Sequence, residues 1–466
     1  MAIDLRRVRS PVSLSEAGQE LAPLTPGDRR TPGYLSMLDL YRVVVCASVL
    51  GQHSFLWTDM ANNVIGTGFI TMLHFTRDGF FVLSGFVVCY AQITRPRSLW
   101  GFWSRRYVQL GVPYLVWTAI YVVFTILRPG GSWDKWWTYL EVDLRVGYYQ
   151  LYVVIVLLQF YLVFPLLLKL LHSTRHHLVI LAVSVAVALF IGVDLHYNPQ
   201  LGAVGPFIHH LSPKWLVWSR NLLSYQLYFI VGALAAFHLD RVLDVVQRRH
   251  RQILAASAGI GLATLLWYII DIWAGASTGS ASDLYEPIAV AWAVGASVGI
   301  FALSWMWFER SSRSTSPGPS RRPTWLSISY LAELTGGFYL CHVLFINMIR
   351  AALYSGLIGG AHLAWPLRTA IFYVGTAVVA VAFVSLVVRT PLRWILGGPV
   401  HSEQKKRDDA EVVRRSPVGV RAGPFGPFGS FGRTSESVDY GLRDGDNGEI
   451  HPADGSLSTA PAVPAP

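Results

Sequence analysis

The 466-residue sequence has little charge, since Asp, Glu, Lys and Arg together make up only 14% of it. A soluble globular protein carries about a quarter charged residues, so the composition excludes an ordinary member of that class. Hydrophobic residues account for 53% of the chain, and the mean hydropathy is +0.41. The 17 Trp and 21 Tyr residues suit membrane interfaces. These values indicate an integral membrane protein.

Cysteine is also scarce. The three cysteines, Cys46, Cys89 and Cys341, all lie in apolar runs and provide neither a disulfide framework nor a metal-binding spacing. The histidine pairs at 176–177 and 209–210 lack the spacing of a metal site as well. We therefore predict no metal and no tightly bound cofactor.

A secretory signal peptide and a soluble catalytic domain are both missing. Residues 1–36 are polar without an apolar core segment, so we expect a disordered cytoplasmic arm, with the first span acting as the targeting signal. Residues 391–466 are rich in Gly, Pro, Ser and Asp and predict a disordered cytoplasmic tail. Any chemistry therefore belongs to a membrane domain over residues 37–390.

Long apolar runs fill that domain and predict an all-α integral membrane protein with about ten transmembrane helices. Each run approaches the ~20 residues that a bilayer core requires. The predicted spans are 38–57, 65–90, 107–127, 148–170, 177–194, 216–237, 252–273, 287–308, 326–351 and 368–388.

The loops between these spans alternate in charge. Loops 92–106, 171–177, 238–251 and 309–325 contain arginine, whereas loops on the other side contain few or balanced charges. Since basic loops stay cytoplasmic, we predict a multi-pass plasma-membrane protein with both termini in the cytoplasm. The same pattern explains the net charge of +10 without a nucleic-acid partner.

The first span carries a polar stripe. Asp39, Arg42, Cys46, Val49 and His53 follow at i, i+3, i+7, i+10 and i+14, which places them on one helix face. Arg42 and His53 lie about 16 Å apart along the axis. Ionisable groups within a span usually face the protein interior and serve function.

Each of these residues has two interpretations. His53 is a candidate general base for a hydroxyl group, or a histidine hydrogen-bonded to a neighbouring helix. Arg42 is a candidate ligand for a phosphate, a carboxylate or a polarised carbonyl, or an arginine whose side chain reaches back to the membrane surface. Asp39 is one turn earlier and could pair with Arg42.

The second span contains an adjacent base and acid, Arg77 and Asp78, about halfway along its length. Such a pair is costly at that depth unless it faces a polar cavity. His74 is one turn before Asp78, and antiparallel packing could bring both near His53. The small pair at 84–85 lies outside a G-x-S-x-G nucleophile motif and favours close helix contact instead.

Three more residues are candidates for substrate binding. Arg105 and Arg106 open the third span and could hold the phosphates of a nucleotide-bearing donor, or simply anchor the helix on the cytoplasmic side. His342 lies deep in the ninth span, where it could line the same cavity or be structural.

Together these motifs resemble the membrane acyltransferase-3 family of multi-span O-acyltransferases. Arg42, ten residues and then His53 resemble the family's first-span R/K-x10-H signature. Four further segments are similar in order, namely DGFFVLSGF at 78–86, RRYVQLGVPY at 105–114, YQLYVVIVLLQFYLVFPLL at 149–167 and GFYLCHVLF at 337–345. The resemblance covers roughly residues 36–390. One departure is Gln109, where the family often has a second arginine.

The resemblance implies an acyl-CoA co-substrate, commonly acetyl-CoA, that enters from the cytoplasm. It also implies that His53 is the catalytic base and that Arg42 helps to position the donor. The acceptor would be a hydroxyl group of a cell-envelope carbohydrate or glycolipid. The sequence does not identify that acceptor.

Two other functional classes fit the polar stripe. A transporter or flippase for a glycan or lipid would use it as a path without covalent chemistry, although we see no internal repeat of the kind common in transporters. A sensor or scaffold would only bind a ligand and would not require a base at the depth of His53. Acyl-CoA-dependent product formation distinguishes the enzyme from both.

Overall fold

The structure is a computed structural model that describes residues 36–58, 63–94, 96–197, 220–313, 327–354 and 363–397. These residues form helices joined by turns and short segments, and no strand occurs among them. The all-α prediction is therefore confirmed for this part of the chain. The arm predicted at the N-terminus lies outside the described residues, except for residue 36, and so does the tail from residue 398.

The described helices differ widely in length, from one turn to ten. In chain order they are α1 Asp39–Leu56, α2 Val64–Leu73, α3 Phe75–Thr94, α4 Leu99–Ile126, α5 Trp136–Val146, α6 Tyr152–Leu171, α7 His177–Tyr197, α8 Gln226–Phe237, α9 Leu239–Trp273, α10 Thr278–Ala281, α11 Pro287–Arg313, α12 Ile328–Tyr354 and α13 Trp365–Val387. Short 3₁₀ helices occupy Trp133–Lys135, Tyr149–Leu151, Thr174–His176, Leu222–Tyr225 and Pro391–Leu396.

Seven helical segments of the described chain are long and apolar enough to cross a membrane, whereas about ten were predicted. The other three predicted spans coincide with α1, α7 and α8. Polar residues of the stripe lower the hydropathy of α1. The apolar part of α7 ends at Val193, and α8 has only 12 residues, or about 18 Å, which is less than a bilayer core of about 30 Å.

The second predicted span is two helices that meet at His74. The backbone N–H of His74 bonds to the carbonyl of Thr71 at 3.2 Å, a tightened turn that ends α2. α3 begins at the next residue, so Arg77 and Asp78 lie in its first turn rather than within a continuous helix. The hydroxyl of Thr76 in the same turn donates to the side-chain oxygen of Gln52 on α1 at 3.1 Å.

Three of the predicted loops contain helix. α4 begins at Leu99, where the side chain of Ser98 accepts from the N–H of Gly101, so Arg105 and Arg106 lie two turns inside it. Loop 128–147 contains α5. Loop 238–251 is the first part of α9, which changes direction at Arg249, where φ is −125° and ψ is 19°. Polar helical turns lack the apolar periodicity by which a span is recognised.

α3 and α8 pack with their backbones in contact. A Cβ atom added to Gly85 would lie 2.1 Å from the carbonyl oxygen of Phe229, and one added to Gly232 would lie 1.9 Å from that of Val82. The two glycines therefore allow a helix approach that any side chain would prevent. This confirms that the 84–85 pair serves close helix contact.

The chain remains structured beyond the predicted end of the membrane domain. The indole N–H of Trp117 on α4 donates to the carbonyl of Ile395 at 2.9 Å, and Leu396 is buried. Gly397 ends this 3₁₀ helix with a φ of +68°, a conformation that favours glycine. The predicted tail therefore starts no earlier than residue 398, instead of at 391.

Candidate active site

A cavity of about 220 Å³ lies between the second half of α1, the start of α3 and the turns that precede α6 and α8. Its wall combines polar side chains with aromatic rings. The lining residues are Val49, Gln52, His53, His74, Thr76, Arg77, Phe80, Tyr149, Gln150, Tyr152, Val153, Arg220, Leu284 and Tyr339.

His53 lies between two rings at this cavity. Its imidazole centroid is 5.1 Å from that of Tyr149 and 5.3 Å from that of His342, with which it stacks at 22°. The Nδ1 atom of His53 is buried and has no hydrogen-bond partner among the described residues. The side chain as a whole is only half-buried, so an imidazole nitrogen is available to a ligand in the cavity.

His342 is completely buried behind His53. Its Nδ1 lies 2.8 Å from the carbonyl oxygen of Tyr339, and a carbonyl can only accept, so this nitrogen carries the proton. The Nε2 atom is then an acceptor, and it is buried without a partner in the described structure. His342 therefore presents a neutral polar ring of fixed tautomer to His53.

Arg77 and Asp78 form an ion pair beside the cavity. The Nε of Arg77 donates to the Oδ1 of Asp78 at 3.0 Å, and its terminal nitrogen donates to Oδ2 at 3.5 Å. The guanidinium also lies 4.7 Å from the ring centroid of Tyr225. Arg77 lines the cavity while Asp78 does not. Asp78 thus compensates the charge of Arg77 and fixes its direction.

Several cavity-lining residues have a buried polar atom without a hydrogen-bond partner among the described residues. Besides His53 these are Nδ1 of His74, Oε1 of Gln150 and Nε of Arg220. The amide of Gln150 is held in place, since its Nε2 donates to Tyr121 at 2.8 Å. Buried polar groups are normally paired, so a cluster of unpaired ones around a cavity is typical of a binding site.

The remaining predicted residues lie away from the cavity. Arg42 donates to Asp39 at 3.3 Å, about 16 Å from His53 along α1. Arg105 and Arg106 are near the start of α4, and the guanidinium of Arg106 lies 5.6 Å from the ring of Tyr161. We refer to these four residues, Asp39, Arg42, Arg105 and Arg106, as the arginine end, after the donor-binding role predicted for them.

Two hydrogen bonds between α4 and the chain around α6 show that Arg105 and Arg106 lie at a different level along these helices from the cavity. Trp103 donates to the carbonyl of Tyr161 at 2.9 Å, whereas Gln150 donates to Tyr121 farther along the antiparallel pair. Residues 150 and 161 are eleven positions apart, or about 16 Å along a helix.

The structure therefore brings together some of the predicted site residues. His53, His74 and Arg77 line one cavity, and His342 and Asp78 support it from behind. The arginine end is a separate group. The structure tests positions only, so the assigned roles stay predictions.

Sequence reasoning missed much of the cavity. Arg220, Gln150, Tyr149 and Tyr152 lie in turns or at helix starts, where no helical stripe marks them, and Tyr339 lies within α12. Arg220 lies inside the predicted sixth span, 216–237, and an ionisable residue within a span is the one signal that could have identified it.

A comparison with family models shows the family to which this chain belongs. The model described as an acyltransferase domain matches residues 36–385, which is 350 of the 466 residues. The chain belongs to the acyltransferase-3 family. No curated protein and no solved structure gives a significant match.

The acyltransferase-3 match confirms the resemblance drawn from the ordered motifs, and it covers α1 to α12 and nearly all of α13. All nine predicted site residues lie within it. In general terms the chain is a membrane O-acyltransferase, and its apolar helices suit a multi-pass membrane protein. Membership of the acyltransferase-3 family implies an acyl donor and an acceptor as substrates.

Proposed function

We propose that this protein transfers an acetyl group from acetyl-CoA to a hydroxyl group of a cell-envelope carbohydrate or glycolipid at the plasma membrane. The observation that carries the proposal is the position of His53. Its imidazole lines a polar cavity, and one of its nitrogens has no hydrogen-bond partner in the described structure.

The reaction is a general-base acyl transfer. An imidazole nitrogen of His53 takes the proton of the acceptor hydroxyl while its oxygen attacks the thioester carbonyl carbon. The carbon–sulfur bond then breaks, and the leaving thiolate receives the proton from the imidazolium. The products are an ester and free CoA. His74, Arg77 and Gln150 surround the acceptor, and His342 supports the ring of His53.

The donor approaches from the other side. Arg42, Arg105 and Arg106 provide positive charge for the phosphates of CoA, and Asp39 holds Arg42 in place through their 3.3 Å contact. The pantetheine arm then runs along α1 toward His53. CoA enters as a co-substrate and leaves after each turnover. The arginine-rich loops favour a cytoplasmic location for the arginine end and for both termini.

The first experiment tests the base. Membranes containing the full chain receive labelled acetyl-CoA, and label is followed into lipid and glycan fractions. We expect His53→Ala to reduce transfer by at least about 100-fold, because general-base catalysis contributes about 10²–10⁴-fold. The matched control is His176→Ala, an exposed histidine outside the cavity, which should retain the wild-type rate.

A second arm tests the donor side. Arg42→Ala should raise KM for acetyl-CoA more than it lowers kcat, because Arg42 contacts the donor far from the reacting carbon. Wild-type turnover by His53→Ala at equal membrane content would overturn the mechanism. Failure of the intact protein to transfer label from acetyl-CoA or any longer acyl-CoA would overturn the proposed function.

A further inference from the structure

Arg220 has no counter-ion among the residues that the structure describes. Its guanidinium lines the cavity and lies 4.0 Å from the ring centroid of Tyr152, and its Nε is buried without a hydrogen-bond partner. No carboxylate among the described residues forms an ion pair with it. Arg220 as a whole is half-buried, and a charge that is partly removed from water is normally paired, because leaving it alone is costly.

The cavity as a whole is positive. Two guanidinium groups, those of Arg77 and Arg220, are among its lining residues, and Asp or Glu is not. Asp78 compensates only Arg77. Among the described residues one positive charge therefore remains for a ligand, in the same cavity as the unpaired acceptor Oε1 of Gln150.

The chain also holds Arg220 in place. Its backbone carbonyl accepts from Nε2 of Gln159 at 2.9 Å, and Oε1 of the same amide accepts from the N–H of Leu222 at 2.9 Å. One side chain on α6 thus clamps the turn on both sides of Arg220. These two hydrogen bonds consequently fix the backbone position of Arg220.

We infer that the acceptor carries an anionic group, a carboxylate or a phosphate, which Arg220 binds within the cavity that contains His53. This inference rests on the proposed function and names its substrate class. Arg suits both anions, because its planar fork donates two parallel hydrogen bonds.

The donor cannot supply this anion. The cavity of about 220 Å³ contains both Arg220 and His53 in its wall, so an anion bound at Arg220 lies in the same cavity as the reacting groups. When the thioester carbon reaches His53, the whole pantetheine arm separates it from the diphosphate of CoA. The anion at Arg220 must then belong to the acceptor, and it must lie close to the hydroxyl that is acylated.

The test compares three soluble acceptors of one shape. Methyl glucoside is neutral, methyl glucuronide has a carboxylate and methyl glucoside 6-phosphate has a phosphate. The full chain in phosphatidylcholine nanodiscs is given acetyl-CoA and each acceptor, and ester formation is followed by mass spectrometry. We expect one or both anionic acceptors to exceed the neutral one by about 10- to 100-fold in kcat/KM.

The variants assign this preference to Arg220. Arg220→Gln should abolish it by raising KM for the anionic acceptor. Arg220→Lys should retain part of it, since the charge remains without the fork. The matched control is Arg248→Gln, an exposed arginine that pairs with Asp244 in the first part of α9 and does not line the cavity, which should keep the full preference.

A binding measurement tests the anion subsite independently of the proposed transferase activity. Thermal stabilisation by each acceptor is recorded without acetyl-CoA, for wild type and for Arg220→Gln. Selective stabilisation by an anionic acceptor that requires Arg220, without any transfer, would support the anion subsite and contradict the transferase. Transfer or binding without anionic preference, or a preference unchanged in Arg220→Gln, would overturn the inference.

Discussion

The backbones of α3, which carries Arg77, and α8 are in contact, and Gly232→Ala tests this contact. The new Cβ atom would lie 1.9 Å from the carbonyl oxygen of Val82 and 2.9 Å from the backbone nitrogen of Phe86. Both are backbone atoms, which no rotamer change can move away. Since ordinary Cβ contacts begin near 3.4 Å, the helices must separate by about 1.5 Å, the difference between 3.4 and 1.9 Å.

Overpacking of this kind costs about 1–3 kcal/mol. The matched control is Gly259→Ala on α9, where nothing lies within 4 Å of the new atom. That change should stabilise the helix by about 0.5–1 kcal/mol, because alanine loses less backbone entropy than glycine. The two variants are therefore expected to differ by about 1.5–4 kcal/mol, although each adds one methyl group.

Unfolding of the purified protein in mixed micelles, followed by tryptophan fluorescence, measures this difference. Activity should also fall in Gly232→Ala, because α3 carries Arg77 and the turn before α8 carries Tyr225, whose ring Arg77 contacts. If Gly232→Ala were as stable as Gly259→Ala, the backbone contact between α3 and α8 would not exist in the folded protein.

Two further predictions concern histidines. His342→Phe keeps a ring beside His53 but removes its polarity, so kcat should fall about 10–100-fold with KM nearly unchanged; an unchanged kcat would show that His342 only fills space. His238, which hydrogen-bonds His177 at 2.7 Å, has a pKa lowered by burial and by the charges of His177 and Arg241. Its neutral form therefore stabilises the fold above about pH 6.5, and this stability is lost as the pH falls below that value. The melting temperature of wild type should drop between about pH 7.5 and 5.5, and more steeply than that of His238→Gln; equal slopes would contradict the assignment.

The polar stripe on α1 was predictable because it depends only on helical periodicity. The structure confirms that the stripe faces the protein interior, since His53 stacks on His342 and the Sγ of Cys46 lies 3.9 Å from the carbonyl of Thr335 on α12. The helical spans were predictable for the same reason, because apolar runs of fixed length mark them.

The cavity wall could not be predicted in this way. Arg220 and Gln159 are 61 positions apart, and the side-chain amide of Gln159 holds the turn that contains Arg220 in position. The break between α2 and α3 at His74 could not be predicted either, since the neighbouring residues are apolar enough for a continuous helix. Tertiary contacts decide such features, and a single sequence carries little trace of them.

The unpaired polar atoms around the cavity have a kinetic consequence. Before the acceptor binds, atoms such as Oε1 of Gln150 and Nε of Arg220 require partners, and water is the only small molecule always present to provide them. Water is also a nucleophile, and in the proposed mechanism His53 would remove its proton as it would that of an alcohol.

A thioester delivered to the hydrated cavity would therefore be hydrolysed, and the acyl group would be wasted. The protein avoids this loss only if the acceptor displaces the water before the thioester arrives. The order in which the two substrates bind is then a requirement for efficient transfer. The rate of CoA release without acceptor measures how strictly that order is kept.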